Sequence, residues 1–352
     1  MIDLDDERLI AAGDPGGMLA VLSALPHHCL DGYRLGREVR APATAEELTS
    51  IAFCGMGGSA VAGDLLRAVF ADHLAVPVVV VRSSELPAFC GPRTLVFVSS
   101  YSGDTAEALE CLRAALARDC PVVVVTSGGR LASRAEELGL PRVGLPAGLM
   151  PRAALGYMGL GAIGALETLG LLASLDRDVR TTVEELSNLV TTCAAAAPAS
   201  VNPAKRLALA ALESVPVVWG AEGIGSVAAA RWRTQFNENA KVPAWSSSLP
   251  EVDHNEVVGW SDGAGPRFLV IALRHDGEPP DVAARFPLSI DIARRSGARA
   301  EELWASGDSA LARLLSLVLV GDFTSTYLAI ARGVDPTPVE AIARLKRALA
   351  EA

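Results

Sequence analysis

The chain has 352 residues, half of them hydrophobic and a fifth charged, with a mean hydropathy of +0.32, which supplies a large core and argues against disorder. Its formal charge is −10, with 31 Lys and Arg against 41 Asp and Glu and no dense basic block, which argues against nucleic acid as a partner. The six cysteines make no Cys-x-x-Cys pair and no Cys/His spacing suited to zinc, so they read as small core residues and no metal is expected. The acidic opening, Met1 to Arg8, lacks the basic-then-apolar order of a signal peptide, and a cytoplasmic protein is expected.

Residues 1–40 read as an N-terminal helical segment for packing or dimer contact, with Leu19, Val21, Leu22 and Leu25 as anchors; His27-His28 reads as a polar turn. From 48 to 146 strand and helix alternate. Strands at 51–54, 77–82, 94–99 and 121–126 are continuous β-branched or apolar runs, and helices follow at 59–73, 104–118 and 130–138. Such runs mark a parallel sheet covered on both faces. The nearest thing to a membrane span is 155–175, but Glu167 and its many glycines make it a buried helix. A polar, Ala-rich stretch from 176 to 204 reads as helix plus linker. The alternation then restarts: strand 215–219, Gly-rich turn 220–225, helix 226–237, strand 267–273, a helix near 282–296, a strand near 299–303 and helix 308–332. All five tryptophans follow that boundary and all five methionines precede it. The expected fold is α/β, two doubly wound parallel-sheet subdomains with a C-terminal helix, divided as 1–40, 41–190 and 191–352.

Two turns carry the chemistry of the first half. In Ile51 to Leu66, a short strand runs into Gly55, Gly57 and Gly58, then Ser59 at a capping position, then an apolar helical face. Free N–H groups and a hydroxyl at the positive end of a helix suit a phosphate. The second turn, Ser99-Ser-Tyr-Ser-Gly-Asp-Thr105, again joins strand to helix. A capping box of Asp104 with Glu107 accounts for the acids there, but not for hydroxyls at 100, 102 and 105. No Gly-x-Gly-x-x-Gly with a distal acid and no P-loop occurs, which disfavours nicotinamide enzymes and ATPases, and no cofactor is expected.

Gly55-Met-Gly-Gly-Ser59, Ser100-Tyr-Ser-Gly-Asp-Thr105 and Thr126-Ser-Gly-Gly129 together resemble the sugar-isomerase (SIS) domain, a phosphosugar-binding α/β fold. With Pro151-Arg152, Asn237-Glu-Asn-Ala-Lys241, His254-Asn-Glu256 and Val339 to Lys346, nearly the whole chain is similar to the bifunctional phosphoglucose/phosphomannose isomerase family. The resemblance implies two SIS domains and a homodimer with the active site near the interface. It implies a hexose 6-phosphate substrate, with fructose 6-phosphate interconverted with glucose 6-phosphate and mannose 6-phosphate. By it, Gly58, Ser59, Ser100, Ser102 and Thr105 hold the phosphate. Arg152 faces C1–C2, Glu238 is the base, and His254 and Lys346 serve ring opening. Asp104 departs from the family, which usually has Asn there; it is expected to turn away from a phosphate and cap its helix.

The residue types suit the reaction. A carboxylate such as Glu238 can carry a proton between neighbouring carbons, a histidine such as His254 can open a cyclic hexose near neutral pH, and a cation can stabilise an enediolate. Position alone favours the plainer readings: Glu238 as a solvated helix-end glutamate, His254 as a surface-loop histidine, Arg152 as a first-turn surface residue and Lys346 as part of a solvated basic face. A non-catalytic phosphosugar sensor and a SIS isomerase of another sugar phosphate are the rival readings. A sensor would not need all three of Arg152, Glu238 and His254.

Overall fold

The computed structural model describes residues 2–261, 263 and 265–351, with residues 346 and 349–351 described by their backbone alone. The chain forms two compact units, each discontinuous in sequence: Ala24–Ser187 with Gly307–Leu314, and Met1–Ser23 with Asn188–Ser306 and Leu315–Ala352. The N-terminal segment is thus shared between them, its first helices going with the later unit and the helix Leu25–Arg37 with the earlier.

In the earlier unit the strands are β1 Ser50–Cys54, β2 Val78–Val81, β3 Thr94–Ser99, β4 Val122–Thr126 and β5 Arg142–Gly144. They pair in the order β2-β1-β3-β4-β5, all parallel. β1, β3 and β4 are buried along their whole length, which is why their sequences are unbroken β-branched or apolar runs rather than alternating ones. Cys54, Cys90, Cys111 and Cys120 pack in one core with Val96, Val124 and Leu131, and all six cysteines of the chain are buried and free of disulfides.

The Gly-rich apolar stretch forms the buried helix Leu155–Thr168, packed on Leu25–Arg37. Its glycines serve close backbone approach: a Cβ on Gly164 would stand 2.3 Å from the Tyr33 carbonyl oxygen. Glu167 takes a hydrogen bond from the Tyr33 hydroxyl, and another from the Leu175 N–H at 3.2 Å. His28 is not in a polar turn. It lies inside the helix Leu25–Arg37, stacked on Tyr157 at 4.6 Å, and burial lowers its pKa.

In the later unit β6 Val215–Ala221, β7 Trp245–Leu249, β8 Phe268–Arg274 and β9 Arg299–Trp304 pair as β7-β6-β8-β9, again all parallel. Counted from its own first strand, this sheet has the order second, first, third, fourth. The earlier sheet begins the same way, so the chain repeats one doubly wound arrangement. The helix Ile224–Gln235 continues as a π-helical turn, Phe236–Ala240. Among the described residues one helix, Ala310–Ala331, is long and apolar enough to cross a membrane, and its apolar window is wholly buried in the protein. Gly321 on it makes room for Trp232, whose Nε1 donates to the Leu317 carbonyl at 2.8 Å. The chain closes with the helix Glu340–Glu351.

Candidate active site

In a parallel doubly wound sheet, ligands lie beyond the carboxyl ends of the strands where the strand order reverses. In the earlier unit that point falls between β1 and β3, which are followed by the turns 55–58 and 100–105. The helices after them, Gly57–Val69 and Ala106–Ala117, start at this end, so their first N–H groups are directed to it.

Ser59 is not the cap. The helix begins two residues earlier because Gly57 takes φ +50°, and Met56 stands at the capping position. Ser59 lies in the first turn, buried, and its Oγ accepts the Tyr101 N–H at 3.2 Å. The two turns are thereby joined. Ser100 Oγ lies 2.8 Å from Thr105 Oγ1 and accepts the Gly103 N–H at 3.1 Å. Ser102 is exposed, with its Oγ 3.4 Å from the Asp104 nitrogen. Gly103, at φ +75°, presses on the next turn so closely that a Cβ would stand 1.8 Å from the Gly128 carbonyl oxygen.

Asp104 does not cap the helix that follows it but serves another. Its Oδ1 accepts the Arg130 N–H at 3.1 Å, in the first turn of Gly129–Glu137, while Thr105 holds the capping position of the helix Ala106–Ala117.

Arg152 is buried, at 2 % exposure, in the 3₁₀ turn Pro151–Ala153, and Gly58 lies against the backbone of that turn. Tyr101 carries a role that its position in a hydroxyl turn does not announce. Its buried hydroxyl donates to the Pro146 carbonyl at 2.7 Å and accepts the Leu149 N–H at 3.0 Å, tying the segment ahead of Arg152 to the turn after β3. Burial raises the Tyr101 pKa and keeps the hydroxyl protonated for that bond. Gly58, Ser59, Ser100, Ser102, Thr105 and Arg152 all belong to this unit.

Glu238, His254 and Lys346 belong to the later unit. Glu238 is half-buried on the π-helical turn and lines a cavity of about 660 Å³ with Lys241, Val242, Pro243, Val334 and Val339. A π-helical turn inside an α-helix displaces one residue from the regular ladder and recurs at functional sites. His254 is exposed at the end of a 3₁₀ turn, Glu251–His254. That turn is anchored by Asp253, which pairs with Arg285 at 3.0 Å and accepts the Ser289 hydroxyl at 2.6 Å. Lys346 falls in the helix Glu340–Glu351, whose first residues line the Glu238 cavity; its side chain lies outside those described.

The later sheet has its own reversal point, between β6 and β8, and its chemistry differs. Arg274 at the end of β8 donates to Glu278 at 2.8 Å and Glu302 at 3.0 Å, between the rings of Phe286 and Trp304. The Gly-rich turn after β6 serves packing, since a Cβ on Gly220 would stand 2.2 Å from the Gly225 carbonyl oxygen. Among the described residues no group of three or more His, Cys, Asp or Glu side chains is placed to hold a metal ion.

The SIS domain profile matches residues 47–137, and the family described as the bacterial phospho-glucose isomerase C-terminal SIS domain matches residues 200–349. The bifunctional phosphoglucose/phosphomannose isomerase of Caldicellulosiruptor bescii is 36 % identical over 332 residues, 93 % of this chain and 97 % of that protein. The enzyme of the same name from Aquifex aeolicus is 33 % identical over 311 residues, 87 % of this chain and 92 % of its own. A crystal structure of a hypothetical protein from Thermus thermophilus superposes with a TM-score of 0.75 over 99 % of this chain and 95 % of that one, at 21 % identity, a likeness of fold.

Proposed function

We propose that this chain, which belongs to the bifunctional phosphoglucose/phosphomannose isomerase family, interconverts fructose 6-phosphate with glucose 6-phosphate and mannose 6-phosphate through a cis-enediol. Gly58, Ser59, Ser100, Ser102 and Thr105 hold the 6-phosphate with hydroxyls and first-turn N–H groups, so that binding energy from the non-reacting end of the sugar positions the reacting one. His254, with Lys346, opens the cyclic hexose by moving a proton between the anomeric hydroxyl and the ring oxygen. Glu238 takes the proton from C1 of the ketose, the cis-enediol forms as O2 gains a proton, and Glu238 returns its proton to C2 as O1 gives one up to leave the aldehyde. Delivery to one face of C2 yields glucose 6-phosphate and to the other mannose 6-phosphate. Arg152 stabilises the negative charge that develops on O1 and O2. This acid–base sequence needs no cofactor. We place the protein in the cytoplasm as a homodimer with its active site near the interface.

The observation that supports the isomerase reading over a phosphosugar sensor is the lodging of Glu238, a half-buried carboxylate in the wall of a cavity with apolar neighbours. A sensor needs the phosphate grip but no such base. The test is a coupled assay on fructose 6-phosphate with the purified protein and its Glu238→Gln variant. Loss of one positioned acid/base lowers kcat by roughly 10²–10⁴; a variant within about threefold of the parent removes Glu238 from the mechanism.

A further inference from the structure

We infer that Lys241 is a positioning residue for Glu238, and that Asn239 and Ser325 complete the brace. The inference rests on Glu238 being the base. Lys241 ends the π-helical turn in the left-handed region, at φ 54° and ψ 38°, where glycine is the ordinary choice. A lysine kept there does something that glycine cannot. Its Nζ donates to the carbonyl of Glu238 at 2.7 Å, of Asn239 at 3.2 Å and of Pro336 at 3.1 Å. Three donors thus meet three acceptors. Two of the acceptors are carbonyls at a helix end, where the ladder supplies no donor of its own. The third belongs to the segment whose residues Val334, Asp335, Pro338 and Val339 line the same cavity as Glu238. One ammonium therefore ties the backbone beneath the base to another wall of its cavity.

On the other flank Asn239, fully buried, donates from Nδ2 to Ser325 Oγ at 3.0 Å, and Ser325 Oγ donates to the Asp322 carbonyl at 2.9 Å. Asp322 is in turn fixed by a two-pronged pair with Arg231, at 3.1 and 2.8 Å. Asn237, on the near side, accepts the Ala244 N–H at 3.2 Å. Both sequence neighbours of Glu238, Asn237 and Asn239, are thus bound to residues outside the turn. The extra residue that makes the turn π-helical rotates the succeeding residues by about one residue step relative to a regular helix. A brace that resists relaxation to the α-helical ladder keeps the Glu238 carboxylate at one bearing. The effect falls on proton transfer, where a displacement of about 1 Å can cost on the order of 10²-fold, and not on the phosphate grip.

The experiment measures kcat and KM for fructose 6-phosphate, with thermal melting, on Lys241→Met, Lys241→Arg, Ser325→Ala and Glu238→Gln. The expected result is a kcat loss of about 10–100-fold in Lys241→Met with KM within about threefold, recovery of most of that loss in Lys241→Arg, and a smaller loss confined to kcat in Ser325→Ala. A folded Lys241→Met with kcat within about threefold of the parent overturns the inference, as does a loss carried by KM alone. If Lys241→Met does not fold, Ser325→Ala decides by the same two criteria. Glu238→Gln separates the two levels of the argument: near-parental activity there overturns the base assignment and this inference together. An inactive Glu238→Gln beside an unaffected Lys241→Met overturns the brace alone.

Discussion

Gly58 and Arg152 meet backbone to backbone: a Cβ on Gly58 would stand 3.0 Å from the Arg152 Cα and 2.9 Å from the Pro151 carbonyl oxygen. The absent Cβ of Gly58 therefore makes room for the Pro151–Ala153 turn, whereas Gly57 beside it has open space. Backbone cannot swing aside as a side chain can. Gly58→Ala is expected to cost about 1–3 kcal/mol of stability and to lower kcat/KM by moving the arginine. Gly91, with open space and no positive φ, is the control; Gly91→Ala should stay within about 0.5 kcal/mol. Thermal melts and steady-state kinetics on both variants check this.

The shared hydrogen of Ser100 and Thr105, 2.8 Å apart, makes the two hydroxyls one unit. Ser100→Ala should raise KM for fructose 6-phosphate by about 10–100-fold, the worth of a hydrogen bond to a charged group. It should weaken competitive inhibition by inorganic phosphate in parallel. An unchanged phosphate inhibition constant beside a raised KM would show that the hydroxyl acts elsewhere on the sugar.

Asp104 has its Oδ1 committed to the Arg130 N–H at 3.1 Å and to Arg130 Nε at 3.4 Å. Asparagine keeps a capping oxygen and loses the charge. Asp104→Asn should leave stability within about 0.5 kcal/mol, whereas Asp104→Ala should cost about 1 kcal/mol. Denaturant unfolding of the pair distinguishes a capping role from a ligand-facing one.

Lys205 is fully buried on the N-terminal side of the later unit, where Asp5 accepts from its Nζ at 3.2 Å and from the Ala199 N–H at 2.7 Å. The Ala199 N–H first, then Lys205, hold the Asp5 carboxyl below its ordinary value. A carboxyl lowered on folding adds stability above its unfolded value near 4 and loses it as the pH falls through the folded value. Asp5→Asn should therefore destabilise the protein at neutral pH and flatten the decline of stability below about pH 4, as read from melting temperatures across an acid series.

Much of the frame could be read from the residues. The β-branched or apolar runs of Ser50–Cys54, Thr94–Ser99 and Val122–Thr126 follow from burial on both faces, while the all-valine edge strand Val78–Val81 is legible from its composition although it is only half-buried. β7 carries no such signal because Trp-Ser-Ser-Ser-Leu is polar and half-exposed: it is the edge strand beside β6, with little to bury. β5, at three residues, is too short for any pattern. At the site, the hydroxyl types at 59, 100, 102 and 105 were legible. The burial of Arg152 was not, because its turn packs against Gly58, 94 residues earlier in the chain. Nor was the π-helical turn under Glu238, which depends on Asn239 and Lys241 finding partners on Ser325 and Pro336.

The two sheets repeat a strand order, yet Arg274 and its carboxylates occupy in one the place that open hydroxyls hold in the other. In the later sheet that corner is filled by internal contacts, with the Arg274 guanidinium against the rings of Phe286 and Trp304. The same unit carries Glu238 on its π-helical turn. The two halves therefore offer different chemistry at matching corners, and a chimera built from two copies of either half is expected to lose the reaction.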